Sequence, residues 1–228
     1  ITLRRHPTPI PVSPRMAEVC LRFGLTPDPQ PVPIVTDLLV TLAPGRIAMI
    51  HGPSGAGKSS LLHTLDATTA ATVSRRPPWV RRIVNVNTVV LPARDAILDA
   101  VAHRRPLSDA LAILTACGVG EPRLWLRRYG DLSDGQRFRA RLARAVGQAI
   151  VRPGVLLLCD EFAALLHRRA AKAIACNLRK LIARYAAAPD APALVVACAQ
   201  DDLLADLQPD IEIHLPGEIG RASCRERV

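Results

Sequence analysis

The chain has 228 residues, of which 49% are apolar and only 3% aromatic, enough for one globular domain whose core is filled by Leu, Val, Ile and Ala. No apolar run reaches the ~20 residues that a bilayer-crossing helix needs, and the six cysteines, at 20, 117, 159, 176, 198 and 224, lack zinc-type spacing, which argues for free thiols in a reducing, cytoplasmic location without a structural metal. The formal net charge is +10, carried almost entirely by arginine, with lysine only at 58, 172 and 180; this leaves open an acidic partner such as nucleic acid, or a simple compositional bias.

Residues 1–15 are basic and Pro-rich, expected as an extended arm. Ile-Thr-Leu-Arg-Arg-His is followed by prolines at 7, 9, 11 and 14 and not by an apolar core, so no signal peptide is expected there. The missing initial Met fits a processed, excised or incomplete chain. Residues 16–216 read as one domain, with a helical portion at about 93–151, and 217–228 as a polar tail. Met16 to Phe23 reads as a short helix or a strand edge, and 26–33 as a loop. Pro31 to Leu42 is strand material, Pro44-Gly45 a turn, and Arg46 to Ile50 a short apolar strand. A helix is expected from Lys58 to about Thr69, a basic exposed segment at 74–82, and a strand from Ile83 to Leu91. Ala96, Ile97, Ala100 and Val101, then Leu107, Leu111 and Leu114, recur at helix spacing. Ser133 suits the N-cap of a helix from Gly135 to Val151. A strand follows at Val155 to Cys159, a helix at Arg168 to Tyr185, a strand at Leu194 to Ala199, a helical turn at Leu203 to Leu207 and a strand at Ile211 to Leu215. Such alternation predicts an α/β fold, a mostly parallel sheet flanked by helices.

Gly52, Pro53, Ser54, Gly55, Ala56, Gly57, Lys58 and Ser59 match the phosphate-binding P-loop pattern between an apolar strand and a helix. The glycines let successive backbone N–H groups face inward, where they and the helix start stabilise phosphate oxygens. Lys58 is placed to reach the terminal phosphates, and the Ser59 hydroxyl to hold Mg²⁺. Val155-Leu-Leu-Leu-Cys-Asp-Glu161 is an apolar strand ending in two carboxylates: Asp160 suits the metal, and Glu161 suits orienting or deprotonating the attacking water.

Leu132-Ser-Asp-Gly-Gln136, taken with Gly52 to Leu62, resembles the ATP-binding cassette (ABC) ATPases, whose signature is Leu-Ser-Gly-Gly-Gln at a helix start. The likeness runs from Phe23 onward and implies a P-loop NTPase fold of ABC type with a compact helical subdomain. It implies Mg²⁺ and ATP as cofactors, with Ser60 and Gln136 joining the nucleotide-binding set. It also implies a head-to-tail pair with a second copy or another such subunit, in which Ser133 and Gly135 of one close over the phosphate held by the other. Isolated, the same segment reads equally as a helix cap. Phe23 stands where the family places an aromatic that stacks on adenine; core packing is the alternative.

The chain departs from the family at Asp134 for Gly, at His167 for Asp, and at Gln200 for the switch histidine. The glutamine that links magnesium to a coupling helix is missing, with Asn85 and Asn87 in the corresponding stretch. Gln200 can donate a hydrogen bond to a phosphate but cannot shuttle charge, so slow hydrolysis is expected, with Lys58, Glu161 and Gln200 as the catalytic set. The compact helical portion favours a soluble, switch-like ATPase over a direct transporter partner. The arginines at 75–82 and 137–144 motivate a nucleic-acid or regulatory module as a further alternative. Leu-Ser-Asp-Gly-Gln, Asp-Glu-Phe and Leu207-Gln-Pro-Asp210 are similar to stand-alone bacterial members, some associated with acetyltransferase-like domains.

Overall fold

The computed structural model describes residues 3–5, 11–26, 32–35, 38–67, 77–102, 105–216 and 223–226. In chain order its elements are β1 (Leu3–Arg5), α1 (Pro14–Phe23), β2 (Val32–Val35), β3 (Ile47–His51), α2 (Lys58–Ala67), β4 (Arg82–Asn85), α3 (Ile97–Ala102), α4 (Leu107–Ala116), α5 (Pro122–Trp125), α6 (Asp134–Ile150), β5 (Val155–Cys159), α7 (Arg168–Tyr185), β6 (Ala193–Cys198), α8 (Leu204–Leu207), β7 (Ile211–His214) and β8 (Ser223–Glu226), with 3-10 turns at Val86–Thr88 and Tyr129–Asp131.

The runs that form β3, β5 and β6 are apolar except for His51 because both faces of these strands are covered. Ile47, Met49, Val155, Leu157, Cys159, Leu194, Val196 and Cys198 join the core beneath α6 and α7. Their neighbours Ala48, Ile50, Leu156, Leu158, Ala193, Val195 and Ala197 meet Leu61 and Leu62 of α2 on the opposite face. The strand order is β4-β5-β6-β3-β7-β8, parallel except for the last pair, and β1 and β2 form a separate antiparallel pair. The expected fold class, an ABC-type α/β P-loop architecture with a mostly parallel sheet, is the one observed, with helices α3 and α4 packed beside α6 and α5 against α3.

Several boundaries differ. Among the described residues of the strand expected over Pro31 to Leu42, Val32–Val35 is the stretch that pairs with β1, which itself lies in the expected arm. Pro14 opens α1 behind a Ser13 cap, selecting the helix over the strand edge. The strand expected to reach Leu91 ends at Asn85, whose side-chain oxygen accepts from Asn87 N–H at 3.0 Å and turns the chain. Ser223–Glu226, expected as polar tail, pairs with β7. Thr69, residues 74–76 of the basic segment, most of the loop at 26–33 and Gly217 lie outside the described residues.

Candidate functional site

Four parallel strands end on one sheet edge. There, His51 leads into the glycine-rich loop, Asn85 into the 3-10 turn, Cys159 into Asp160-Glu161, and Cys198 into Ala199-Gln200. This edge, at the carboxyl ends of the strands, is where open α/β sheets place ligands. Lys58, Ser59, Asp160, Glu161 and Gln200 are thus assembled on one side of the molecule from residues up to about 140 positions apart.

The loop's backbone dictates its glycines. Gly52, Gly55 and Gly57 have φ of +146°, +82° and +91°, conformations that L side chains rarely adopt. A Cβ on Gly52 would also collide with the Leu215 carbonyl oxygen, whereas one on Gly55 would meet nothing within 4 Å, so the loop is packed behind and open in front. Lys58 Nζ arches back to donate to the carbonyls of Gly52 at 2.7 Å and Pro53 at 2.6 Å. This places a cation over the loop mouth at the start of α2, a combination suited to a phosphate anion. Pro53, Ser54, Ser59 and Ser60 are exposed, and Ala56 is buried as the loop's anchor.

Asp160 is half-buried, and its Oδ1 accepts from Glu161 N–H at 2.9 Å. Glu161 adopts φ +49° and Ala163 φ +62°. Left-handed backbone at non-glycine residues marks stored strain at a functional turn. Phe162 pins that turn: it is buried, its N–H donates to Ala197 O at 2.8 Å, and its ring meets Phe138 of α6 edge-on at 6.4 Å. The donor set fits a Mg²⁺–nucleotide. One hydroxyl (Ser59) and one carboxylate (Asp160) flank a cationic phosphate loop, and magnesium takes few protein oxygens when phosphates complete its shell. Among the described residues no cluster of three or more His, Cys, Asp or Glu could hold a metal by itself.

Ser133 caps α6, and Gln136 Oε1 accepts from its N–H at 3.0 Å, closing a capping box. The hydrogen bonds of Ser133, Gly135 and Gln136 remain within α6. Gly135 lies against the loop after Glu161, where a Cβ would come within 3.0 Å of Leu165 O. Asp134 is 80% exposed and 3.5 Å from Arg137 Nη1, so its charge is solvated and partly neutralised. His167 takes over a cap: its Nδ1 accepts from Arg169 N–H at 3.4 Å at the start of α7. Arg168 pairs with Asp202, tying α7 to the loop that carries the exposed Gln200. Phe23 is 73% exposed on α1, a helix without a buried residue.

Two features escaped sequence reading. Asn87 clamps the backbone of Asp160, with Asp160 N–H donating to Oδ1 at 2.9 Å and Nδ2 donating to Asp160 O at 3.1 Å. The only local signal is the Asn-Val-Asn spacing at a strand end, an Asx-turn signature. Three of the α6 arginines reach backbone carbonyls: Arg137 donates to Gly130 O, Arg139 to Gly118 O and Arg144 to Ala100 O. Cys117 and Cys159 are buried free thiols, and burial pushes both well above the ordinary thiol range.

A family model described as ABC transporter matches residues 35–164. The zinc import ATP-binding protein ZnuC of Cereibacter sphaeroides is 36% identical over 135 residues, covering 56% of this chain and 53% of that protein. The taurine import ATP-binding protein TauB of Pseudomonas fluorescens is 30% identical over 156 residues, covering 60% and 56% respectively. The chain thus spans just over half the length of these curated relatives. A solved dimeric post-hydrolysis state of an ATP-binding cassette bound to ADP and Pi superposes with a TM-score of 0.61 at 21% identity, covering 85% of this chain and 91% of that one; it establishes the fold. The import relatives overturn the expectation that a direct transporter partner is disfavoured. Compactness of the helical portion was a poor guide, since its segment keeps exposed apolar side chains at Leu107 and Leu126.

Proposed function

The chain belongs to the ABC transporter family, and on that premise we propose that it is an ATP-hydrolysing subunit serving a membrane import system and working in a head-to-tail pair. One observation carries this reading: parallel strands bring the P-loop and the Asp160–Glu161 turn to a single sheet edge, within a match that spans both. Lys58 and the inward N–H groups hold the phosphates, and the Ser59 hydroxyl and Asp160 carboxylate hold magnesium. The ion supplies charge neutralisation and alignment of the phosphate oxygens. Glu161 orients the attacking water and accepts its proton, and Gln200 donates a hydrogen bond to the terminal phosphate. The exposed Phe23 ring offers a face for adenine.

Pairing supplies what one chain lacks. Ser133 at the α6 N-cap presents a hydroxyl and a helix start to the phosphate bound by its partner, and the dimeric state of the similar cassette structure supports that arrangement. Import is supported by the likeness to the zinc and taurine import ATP-binding proteins, and the exposed Val90, Leu107 and Leu126 provide apolar surface for a membrane subunit. The narrower likeness to stand-alone ATPases associated with acetyltransferase-like domains draws no support from those relatives. The replacement of the switch histidine by Gln200 favours slow turnover.

Lys58→Ala tests the nucleotide half of the proposal. Loss of charge-assisted bonds worth about 1.5–3 kcal/mol weakens ATP binding by roughly tenfold or more, read by calorimetry. Unchanged affinity would contradict the assignment. Co-expressed with a membrane-spanning neighbour in its gene cluster, the wild type should sediment with membranes; complete recovery in the supernatant would argue against the import role.

A further inference from the structure

We propose that Asn87 is a positioning residue that sets the Asp160–Glu161 turn, and that Asn85 connects this clamp to the P-loop helix. The inference deepens the proposed ATP hydrolysis and rests on it. β4 and β5 are paired as far as Asn85 and Leu158, and beyond that point the main chain of β4 turns away into the 3-10 turn. The Asn87 side chain then continues the pairing in place of backbone. Its Oδ1 accepts from Asp160 N–H at 2.9 Å and its Nδ2 donates to Asp160 O at 3.1 Å. An amide used at both ends on one residue fixes position and orientation together, which a single bond cannot do.

The clamp sits where the chain is most constrained. Just beyond it, Asp160 Oδ1 accepts from Glu161 N–H at 2.9 Å, Glu161 holds φ +49°, and Phe162 N–H donates to Ala197 O at 2.8 Å. The strained residue is therefore gripped on both sides, by Asn87 before it and by β6 after it. Such strain persists only where neighbours over-determine the conformation. On the other side, Asn85 Oδ1 accepts from Asn87 N–H at 3.0 Å, while Asn85 Nδ2 donates to Asp66 Oδ2 at 2.8 Å near the end of α2. A hydrogen-bonded line thus runs from the helix that begins with Lys58 to the two carboxylates. With both amide ends engaged on Asp160, Asn87 acts on magnesium only through the aim of the Asp160 carboxylate.

The test compares wild type with Asn87→Ala and Asn87→Asp, the latter conserving shape while removing the donor to Asp160 O. Three quantities are measured on the full chain: ATP hydrolysis against magnesium concentration, ATP affinity in EDTA, and backbone amide exchange at Asp160 without nucleotide. Loss of the two-point clamp should lower kcat about tenfold and raise the half-saturating magnesium concentration, with ATP affinity in EDTA held within about twofold. Exchange at the Asp160 amide should accelerate by about tenfold in Asn87→Ala. Two variants with wild-type kcat and magnesium dependence would overturn the proposal, as would a parallel loss of ATP affinity in EDTA. Absence of ATP binding by wild type would instead contradict the function proposed above, while amide exchange reads the clamp independently.

Discussion

Asp210 illustrates what a single side chain outside the nucleotide edge contributes. It is buried at the start of β7 and accepts from Arg46 Nη1 at 2.7 Å, Arg179 Nη1 at 2.7 Å and Ile47 N–H at 2.8 Å. Burial pushes its pKa upward, but the bonds from Arg179, Ile47 N–H and Arg46 outweigh that effect and hold the carboxyl below its ordinary value. A depressed folded pKa contributes stability that is present above the unfolded value of about 3.9 and is lost as pH falls through the folded one. Asp210→Asn should therefore cost about 2 kcal/mol at neutral pH and flatten the acid limb of the stability curve below about pH 4. Denaturant melts across pH check this; an unchanged acid limb would contradict it. Legibility at this scale followed distance along the chain. Lys58, Ser59 and Asp160 were readable because their motifs are contiguous. The partners of Asn87 and Asp210 lie 73 and 163 positions away, and no local pattern announces them.

At the scale of elements, continuous apolar runs gave β3, β5 and β6 correctly, because a strand covered on both faces leaves that signature. Helical periodicity was less informative for α6. It places Arg137, Arg141 and Arg144 on a common face, yet cannot tell a solvated guanidinium from one that reaches back to a carbonyl, as Arg144 does to Ala100. His167 shows a departure from the family pattern absorbed locally. Its ring nitrogen caps α7, but at 3.4 Å and with the ring's two-nitrogen geometry it caps weakly. His167→Asp should strengthen the cap by about 0.5–1 kcal/mol and raise the Tm by about 1–4 °C for a chain of this size. A thermal melt decides; a lower Tm would mean that the imidazole makes a further contact worth more than the cap. Asp134, conspicuous in the signature, is exposed beside Arg137 at the positive end of α6.

For the whole molecule, the fold and the nucleotide edge were legible, and the partner was not. A motif reports chemistry at a few atoms, whereas exposed apolar side chains such as Val90, Leu107 and Leu126 follow no fixed sequence pattern. No helix among the described residues is long and apolar enough to cross a membrane. The central claim is that Glu161 supports hydrolysis in a half-site completed by Ser133 of a second copy. Light scattering with parallel ATP turnover on Glu161→Gln, in magnesium and ATP, tests it most directly. The account predicts that turnover falls by about a hundredfold or more while the scattering mass doubles on ATP addition and reverts on its removal. A Glu161→Gln protein that stays monomeric and hydrolyses ATP at the wild-type rate would contradict it.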